Sequence, residues 1–140
     1  AEPFARDEMC AVLPPSSPLA AQETVTLEEL AQYPFLLREP GSSGRTILEA
    51  SFALRQLAVR PVWESASTQA ILRAAAEGLG VAVLPERMAR RAAEDGEVCL
   101  RPLADPIERT LHIVWHKSKY RTQTMQSFQT LCRSAGTGKL

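Results

Sequence analysis

Two loops rich in hydroxyl side chains carry the groups best suited to binding a small ligand. Ser65, Ser67 and Thr68 stand just before an apolar run that predicts a helix, and Ser42 and Ser43 stand before a second predicted helix. The first N–H groups of a helix have no partner within it, so together with nearby hydroxyls they can hold an anion. The sequence therefore predicts a small anion as the ligand.

The segment Gly41-Ser42-Ser43-Gly44 allows several interpretations. A phosphate-binding P-loop needs G-x-x-x-x-G-K-[ST], and neither that spacing nor the lysine is present. A hydrolase elbow needs G-x-S-x-G, which this segment also lacks. Two alternatives stay open: an anion site at the helix start, or serines that only cap the helix.

The histidines and cysteines predict neither a metal site nor a disulfide. His112 and His116 lie four residues apart in a predicted strand, a span of about 13 Å. Two nitrogens on one zinc ion lie only about 3 Å apart. Cys10, Cys99 and Cys132 are odd in number and form no C-x-x-C pair, which argues against a disulfide framework and a zinc knuckle. Cys10 and Cys99 lie in apolar strand runs, so we expect them to be buried free thiols in a reducing compartment. No acid–base pair or activated nucleophile stands out, and we expect neither an enzyme nor a cofactor.

Composition limits the class of protein further. With 140 residues, 45% of them hydrophobic, the chain can form one compact domain with a real core. Sixteen basic residues balance sixteen acidic ones, whereas a DNA-binding module normally carries a basic surface. No apolar run reaches the roughly 20 residues of a membrane helix. We therefore expect no direct contact with DNA or a membrane, and no signal peptide is visible at the start.

The fold prediction depends mainly on residues 67–86. Ser67 or Thr68 can cap a helix, Gly78 and Gly80 can end it through a positive φ, and 81–84 is a continuous apolar strand. Strands also alternate with helices elsewhere in the chain. This pattern predicts an α/β fold with a largely parallel sheet, which binds ligands beyond the carboxyl ends of its strands.

Other segments predict further elements. Thr26 and Glu29 have the spacing of a capping box. A turn at Asp105-Pro106 should separate strands at 98–103 and 110–116. Apolar periodicity predicts the inner face of a helix after Ser43, and that of a last helix over 122–133. The residues of the first face are Ile47, Ala50, Leu54 and Leu57, widened by Leu48 and Phe52; those of the second are Met125, Phe128, Leu131 and Cys132.

Five stretches in order resemble LysR-type transcriptional regulators. They are LPPSSPLA (13–20), TLEELAQYPFLLREPGS (26–42), STQAIL (67–72), GLGVAVLPE (78–86) and LHIVWHK (111–117). The resemblance covers nearly the whole chain and points to the C-terminal effector-binding domain of that family.

The resemblance implies a fold like that of type 2 periplasmic binding proteins, with two α/β lobes joined by crossing strands. Residues 18–109 would be the complete second lobe, and 1–17 a remnant of the first lobe with one crossing strand. Residues 110–133 would cross back and pack on the first lobe, and 134–140 would be a disordered tail. The opening of the first lobe and the N-terminal winged helix-turn-helix would be absent from this chain.

The resemblance also implies the site and the partners. A small anionic metabolite would bind at Ser65, Ala66, Ser67 and Thr68, and at Ser42 and Ser43. Leu13 and Pro14, with His112 and Ile113, would form the hinge. The intact protein would be a cytoplasmic homo-oligomer that contacts DNA only through the missing domain. The alternatives are an exported solute-binding protein of a transport system and a prephenate-dehydratase-like enzyme.

Overall fold

The computed structural model describes residues 1–136, which form five strands and five α-helices. In chain order they are β1 (Glu2–Leu13), α1 (Leu27–Leu30), β2 (Phe35–Arg38), α2 (Ser43–Leu54), β3 (Pro61–Ser65), α3 (Thr68–Ala76), β4 (Ala82–Pro85), α4 (Glu86–Glu94), β5 (Cys99–Ile113) and α5 (Gln123–Gly136). Of the tail predicted to be disordered, residues 134–136 continue α5, and 137–140 lie outside the described residues.

The chain divides into two compact units. One contains Met9–Ile107, and the other contains residues 1–8 together with the chain from residue 108 onward. Strands β1 and β5 each run through both units. The predicted domain bounds at 17, 109 and 133 stay a prediction.

The strands form two hydrogen-bonded groups, and a parallel bridge between Phe35 and Val81 links them. β1 lies between β4 and β5, and it pairs antiparallel with β4 from Met9↔Pro85 to Val12↔Ala82. β2 and β3 are parallel. The Leu36 N–H donates to the Val81 carbonyl at 2.8 Å, which joins β2 to the residue before β4. The predicted sheet was largely parallel; the β2–β3 pair and the Phe35–Val81 bridge are parallel, and the β1–β4 pair is antiparallel.

The core of the larger unit lies on both faces of these strands. Phe35 and Leu37 of β2 belong to one cluster of buried residues, and Leu36 between them belongs to the other. Alternation of this kind is expected where helices cover both faces of a strand. The first cluster includes buried residues of α1 and α2. Within it the rings of Phe35 and Phe52 pack edge to face, with their centroids 5.5 Å apart. The second includes α3 and α4, so the unit has the predicted α/β layering.

Three local predictions are confirmed. Thr26 Oγ1 accepts the Glu29 N–H at 3.1 Å, while a Glu29 carboxylate oxygen accepts the Thr26 N–H at 2.8 Å, which completes the capping box. Ser67 caps α3 by accepting the Ala70 N–H at 3.2 Å. Gly78 follows the end of α3 with φ +79°.

Gly80 is required for a different reason from the one predicted. No positive φ is found there; instead, a Cβ atom at Gly80 would lie 2.4 Å from the Pro34 carbonyl oxygen. The glycine therefore allows the chain before β4 to approach the start of β2.

The predicted turn at Asp105-Pro106 is wrong, because β5 continues from Cys99 to Ile113 without a break. In the order β4-β1-β5, β5 is an edge strand. A proline is tolerated in an edge strand because its missing N–H can face away from the ladder. The predicted strand at 110–116 also ends early, at Ile113.

Both predicted inner helix faces need correction. In α2 the buried residues are Leu48 and Phe52, whereas Leu54 is 85% exposed. In α5, Phe128 and Leu131 are 60% and 64% exposed, and Gln129 and Gly136 are buried instead. Periodicity identifies residues that share a face, but it does not show which face meets the rest of the molecule.

Candidate functional site

Both hydroxyl-rich loops begin at one edge of the β2–β3 pair. The two strands are parallel, and their last residues, Arg38 and Ser65, are register partners. The loop that contains Ser42 leaves β2 at this edge, and the loop that contains Ser67 leaves β3 there. The structure therefore brings the two predicted loops to the carboxyl ends of neighbouring strands, where α/β sheets bind their ligands.

The hydroxyls after β3 are held in place as hydrogen-bond acceptors. Ser65 Oγ accepts the Ser67 N–H at 3.1 Å, and Ser67 Oγ accepts the Ala70 N–H. Thr68 Oγ1 accepts from Arg38 Nη1 at 2.9 Å. A hydroxyl has one hydrogen to donate in addition to its acceptor lone pairs. In residues 1–136 none of these three hydroxyls donates a hydrogen bond, so each can donate to an anionic ligand.

Arg38 is the main residue of this edge that sequence analysis missed. Its Nε donates to Glu39 Oε2 at 2.9 Å and its Nη2 to Glu39 Oε1 at 3.1 Å, while Nη1 reaches Thr68. Arg38 thus connects the loop after β2 to the start of α3. The available signal was a charged residue that ends the otherwise apolar strand 35–38.

The arginine bond also affects Glu39. Hydrogen bonding from Arg38 is the main cause that lowers the pKa of the Glu39 carboxyl, followed by a bond from its own backbone N–H. Glu39 is therefore a carboxylate at neutral pH and a matched partner for the guanidinium.

Arg45 of α2 supports the same edge from the side. Its Nη1 donates to the Arg38 carbonyl at 2.8 Å and pairs with Glu64 at 2.9 Å, while Nε pairs with Glu49 at 2.7 Å. The hydrogen bond that Arg45 donates to Glu49, and then the one it donates to Glu64, raises the pKa of Arg45. This guanidinium fixes α2 against the ends of β2 and β3.

The remaining predicted site residues have looser surroundings. Ser42 occupies the N-cap position of α2, but its side chain makes no capping hydrogen bond; its N–H donates to the Glu39 carbonyl at 3.2 Å. Ser43 is the first, exposed residue of α2, and Ala66 is exposed between Ser65 and Ser67.

The predicted hinge residues lie at the ends of β1 and β5. Leu13 is the last residue of β1, with Pro14 directly after it, and His112 and Ile113 end β5. The boundaries of the compact units fall at other positions in the sequence of these strands, after Glu8 in β1 and after Ile107 in β5. The hinge assignment stays a prediction.

Two cavities lie away from the hydroxyl-rich loops, and the larger is an open surface depression of about 490 Å³ lined by residues that include Pro15, Ala20 and Cys99. The other, of about 170 Å³ between α2 and β3, is smaller than the roughly 300–1,000 Å³ of typical ligand pockets. Among residues 1–136, no group of three or more His, Cys, Asp or Glu side chains is placed to hold a metal ion. No helix in the same part of the chain combines the length and apolarity needed to cross a membrane.

Comparison with known proteins decides the family. The sequence pattern of the LysR substrate binding domain matches residues 1–137. This chain belongs to that family.

Relatives of this LysR substrate binding domain are named as transcriptional regulators rather than enzymes. It is 31% identical over 137 residues to the uncharacterized HTH-type transcriptional regulator YeiE of Escherichia coli K12, covering 96% of this chain and 46% of the relative. It is 31% identical to CfxR of Cupriavidus necator, covering 95% of this chain and 41% of the relative. The domain thus spans about half the length of the curated relatives it matches.

Solved structures share the fold. The regulatory domain of CcmR from Synechocystis, in complex with 2-PG, matches with a TM-score of 0.88 and 23% identity, over 99% of this chain and 67% of that one. The effector binding domain of QuiR, in complex with shikimate, matches with a TM-score of 0.86 and 16% identity, over 99% and 66%. The α/β fold predicted for this LysR substrate binding domain is confirmed.

Proposed function

We propose that this chain is the effector-binding part of a LysR-type transcriptional regulator and that it senses a small anionic metabolite. The effector site is the edge after β2 and β3, formed by Arg38, Ser65, Ala66, Ser67 and Thr68, with Ser42 and Ser43 beside it. The main support is that three hydroxyls here accept hydrogen bonds from the protein and keep their hydrogens for a ligand.

The chemistry of this edge favours an oxyanion. The hydroxyls of Ser67 and Thr68 donate to its oxygens, and the start of α3 adds about 0.3–1 kcal/mol through the helix dipole. Similar domains have been solved with shikimate and with 2-PG, which supports a small metabolite as the ligand class.

The effector acts by shifting a conformational equilibrium. It favours one arrangement of the complete lobe at 18–109 relative to the rest of the domain, through movement at Leu13, Pro14, His112 and Ile113. In the intact homo-oligomer this change repositions DNA-binding heads N-terminal to the present chain. A cytoplasmic location follows from this role. The regulator names of the relatives favour it over an exported transport receptor.

The experiment begins with thermal-shift screening of the 140-residue chain against small carboxylates and phosphate esters, and the best hit is measured by calorimetry. The double variant Ser67→Ala/Thr68→Ala should bind that compound about tenfold more weakly, because two hydroxyl donors are lost. Thr124→Ala/Ser127→Ala, which removes two exposed hydroxyls of α5, is the matched control. Equal affinity of both double variants would remove Ser67 and Thr68 from the site.

A further inference from the structure

The guanidinium of Arg38 already holds a carboxylate in the absence of any ligand. Glu39 meets it with both oxygens, one on Nε and the other on Nη2. Two parallel N–H···O bonds of this kind are also how arginine recognises the carboxylate or phosphate of a ligand. Glu39 therefore occupies the hydrogen-bonding edge that an anionic effector would need.

The ion pair between Arg38 and Glu39 is weak enough for a ligand to replace Glu39. The Arg38 and Glu39 side chains are 23% and 40% exposed, and ion pairs with this much solvent access contribute little to stability. The third nitrogen, Nη1, stays on Thr68 while Glu39 holds the other two. Arg38 is therefore kept at the effector edge whether or not Glu39 is bound to it.

We propose that Glu39 is an internal competitor of the effector, whose carboxylate fills the Arg38 guanidinium until an oxyanion of the ligand replaces it. This inference rests on the proposed effector site. Because Glu39 offers two oxygens, only a ligand group that also offers two can replace both hydrogen bonds. The exchange thus selects carboxylates and phosphates over single-atom anions such as chloride, and it sets a threshold concentration for the effector.

The test follows the Arg38 Nε–H signal by NMR in the ¹⁵N-labelled 140-residue chain during titration with inorganic phosphate at constant ionic strength. Glu39→Gln removes the competing carboxylate. The matched control is Glu49→Gln, which removes one negative charge from Arg45 of the same edge without releasing Arg38. Arg38→Lys keeps the positive charge but loses the two-pronged geometry.

Glu39→Gln should bind phosphate about two- to fivefold more tightly than Glu49→Gln, the range set by the strength of an exposed ion pair. Arg38→Lys should bind more weakly than the wild type. Equal affinity of the two glutamine variants, with the Arg38 signal still responding, would overturn the competition but keep the site. An Arg38 signal that phosphate moves in neither wild type nor Glu39→Gln would overturn the proposed site itself, even if Arg38→Lys failed to fold.

Discussion

Hydroxyl side chains serve two different purposes in this chain. Thr26 and Ser67 each accept a backbone N–H at a helix start, and this role follows directly from residue type and spacing. Thr68 instead accepts from Arg38, a residue thirty positions earlier in the chain. The hydroxyl loops were therefore predictable as candidates. The arginine that joins them was not, because the contact depends on the pairing of β2 with β3.

Glu29 gives the chain a pH-dependent contribution to stability. Its pKa is lowered from the ordinary value of 4.5, mainly because its carboxylate accepts the Thr26 N–H, and then by bonds from Gln22 and the Thr26 hydroxyl. A group with a lowered pKa stabilises the fold above its unfolded pKa, and this stabilisation is lost as the pH falls through the folded pKa.

We therefore expect Glu29→Ala to lower the free energy of unfolding at pH 7, and the difference from wild type to shrink as the pH falls below about 4.5. Urea denaturation of the variant and the wild type between pH 7 and pH 3 measures this difference in the free energy of unfolding. Glu23→Ala, an exposed change outside the capping box, is the control. A difference that stays constant down to pH 3 would show that the carboxylate bond is not its source.

At the scale of elements, Gly78 and Gly80 lie only two residues apart but must be glycine for two different physical reasons. Gly78 has φ +79° and open space around its Cα, whereas Gly80 faces the Pro34 carbonyl oxygen where β2 begins. The positive φ of Gly78 can be predicted from the sequence, because a glycine commonly ends a helix in this way. The close approach at Gly80 cannot be predicted in this way, because it depends on which strand lies beside β4.

Gly80→Ala should therefore cost more stability than Gly78→Ala. Gly78→Ala should cost about 1 kcal/mol, the penalty of a left-handed backbone for a residue with a side chain. Gly80→Ala should cost about 3 kcal/mol or prevent folding, because backbone atoms of two adjoining segments must separate. Denaturant unfolding of both variants measures this difference, and equal stability would contradict the close approach.

Helix α5 shows the limit of periodicity at the same scale. Its apolar residues were predicted to face inward, yet Phe128 and Leu131 are mostly exposed. Clustered exposed apolar side chains promote association.

We expect Phe128→Ser/Leu131→Ser to reduce self-association of the 140-residue chain without lowering its melting temperature, since little buried surface is lost. Leu54→Ser, at an exposed leucine of α2, is the control and should change association less. Dynamic light scattering and sedimentation measure the outcome. A large loss of thermal stability would instead mean that these residues are buried in solution.

For the whole molecule, family and α/β class were predictable because five ordered stretches span nearly the full chain. The continuous course of β5, the antiparallel β1–β4 pair and the two compact units were not. They depend on contacts between distant segments, which local patterns do not encode. The same is true of the proposed effector site, whose two loops lie together only because β2 and β3 are neighbours.

The most direct test of that edge is a map of backbone amide shifts in the ¹⁵N-labelled 140-residue chain on titration with acetate and with inorganic phosphate. We predict that the largest shifts fall at Arg38, Ser42, Ser67 and Thr68, since these residues lie at the joined ends of β2 and β3. Shifts concentrated elsewhere, or spread evenly over the chain, would contradict the assignment of this edge as the effector site.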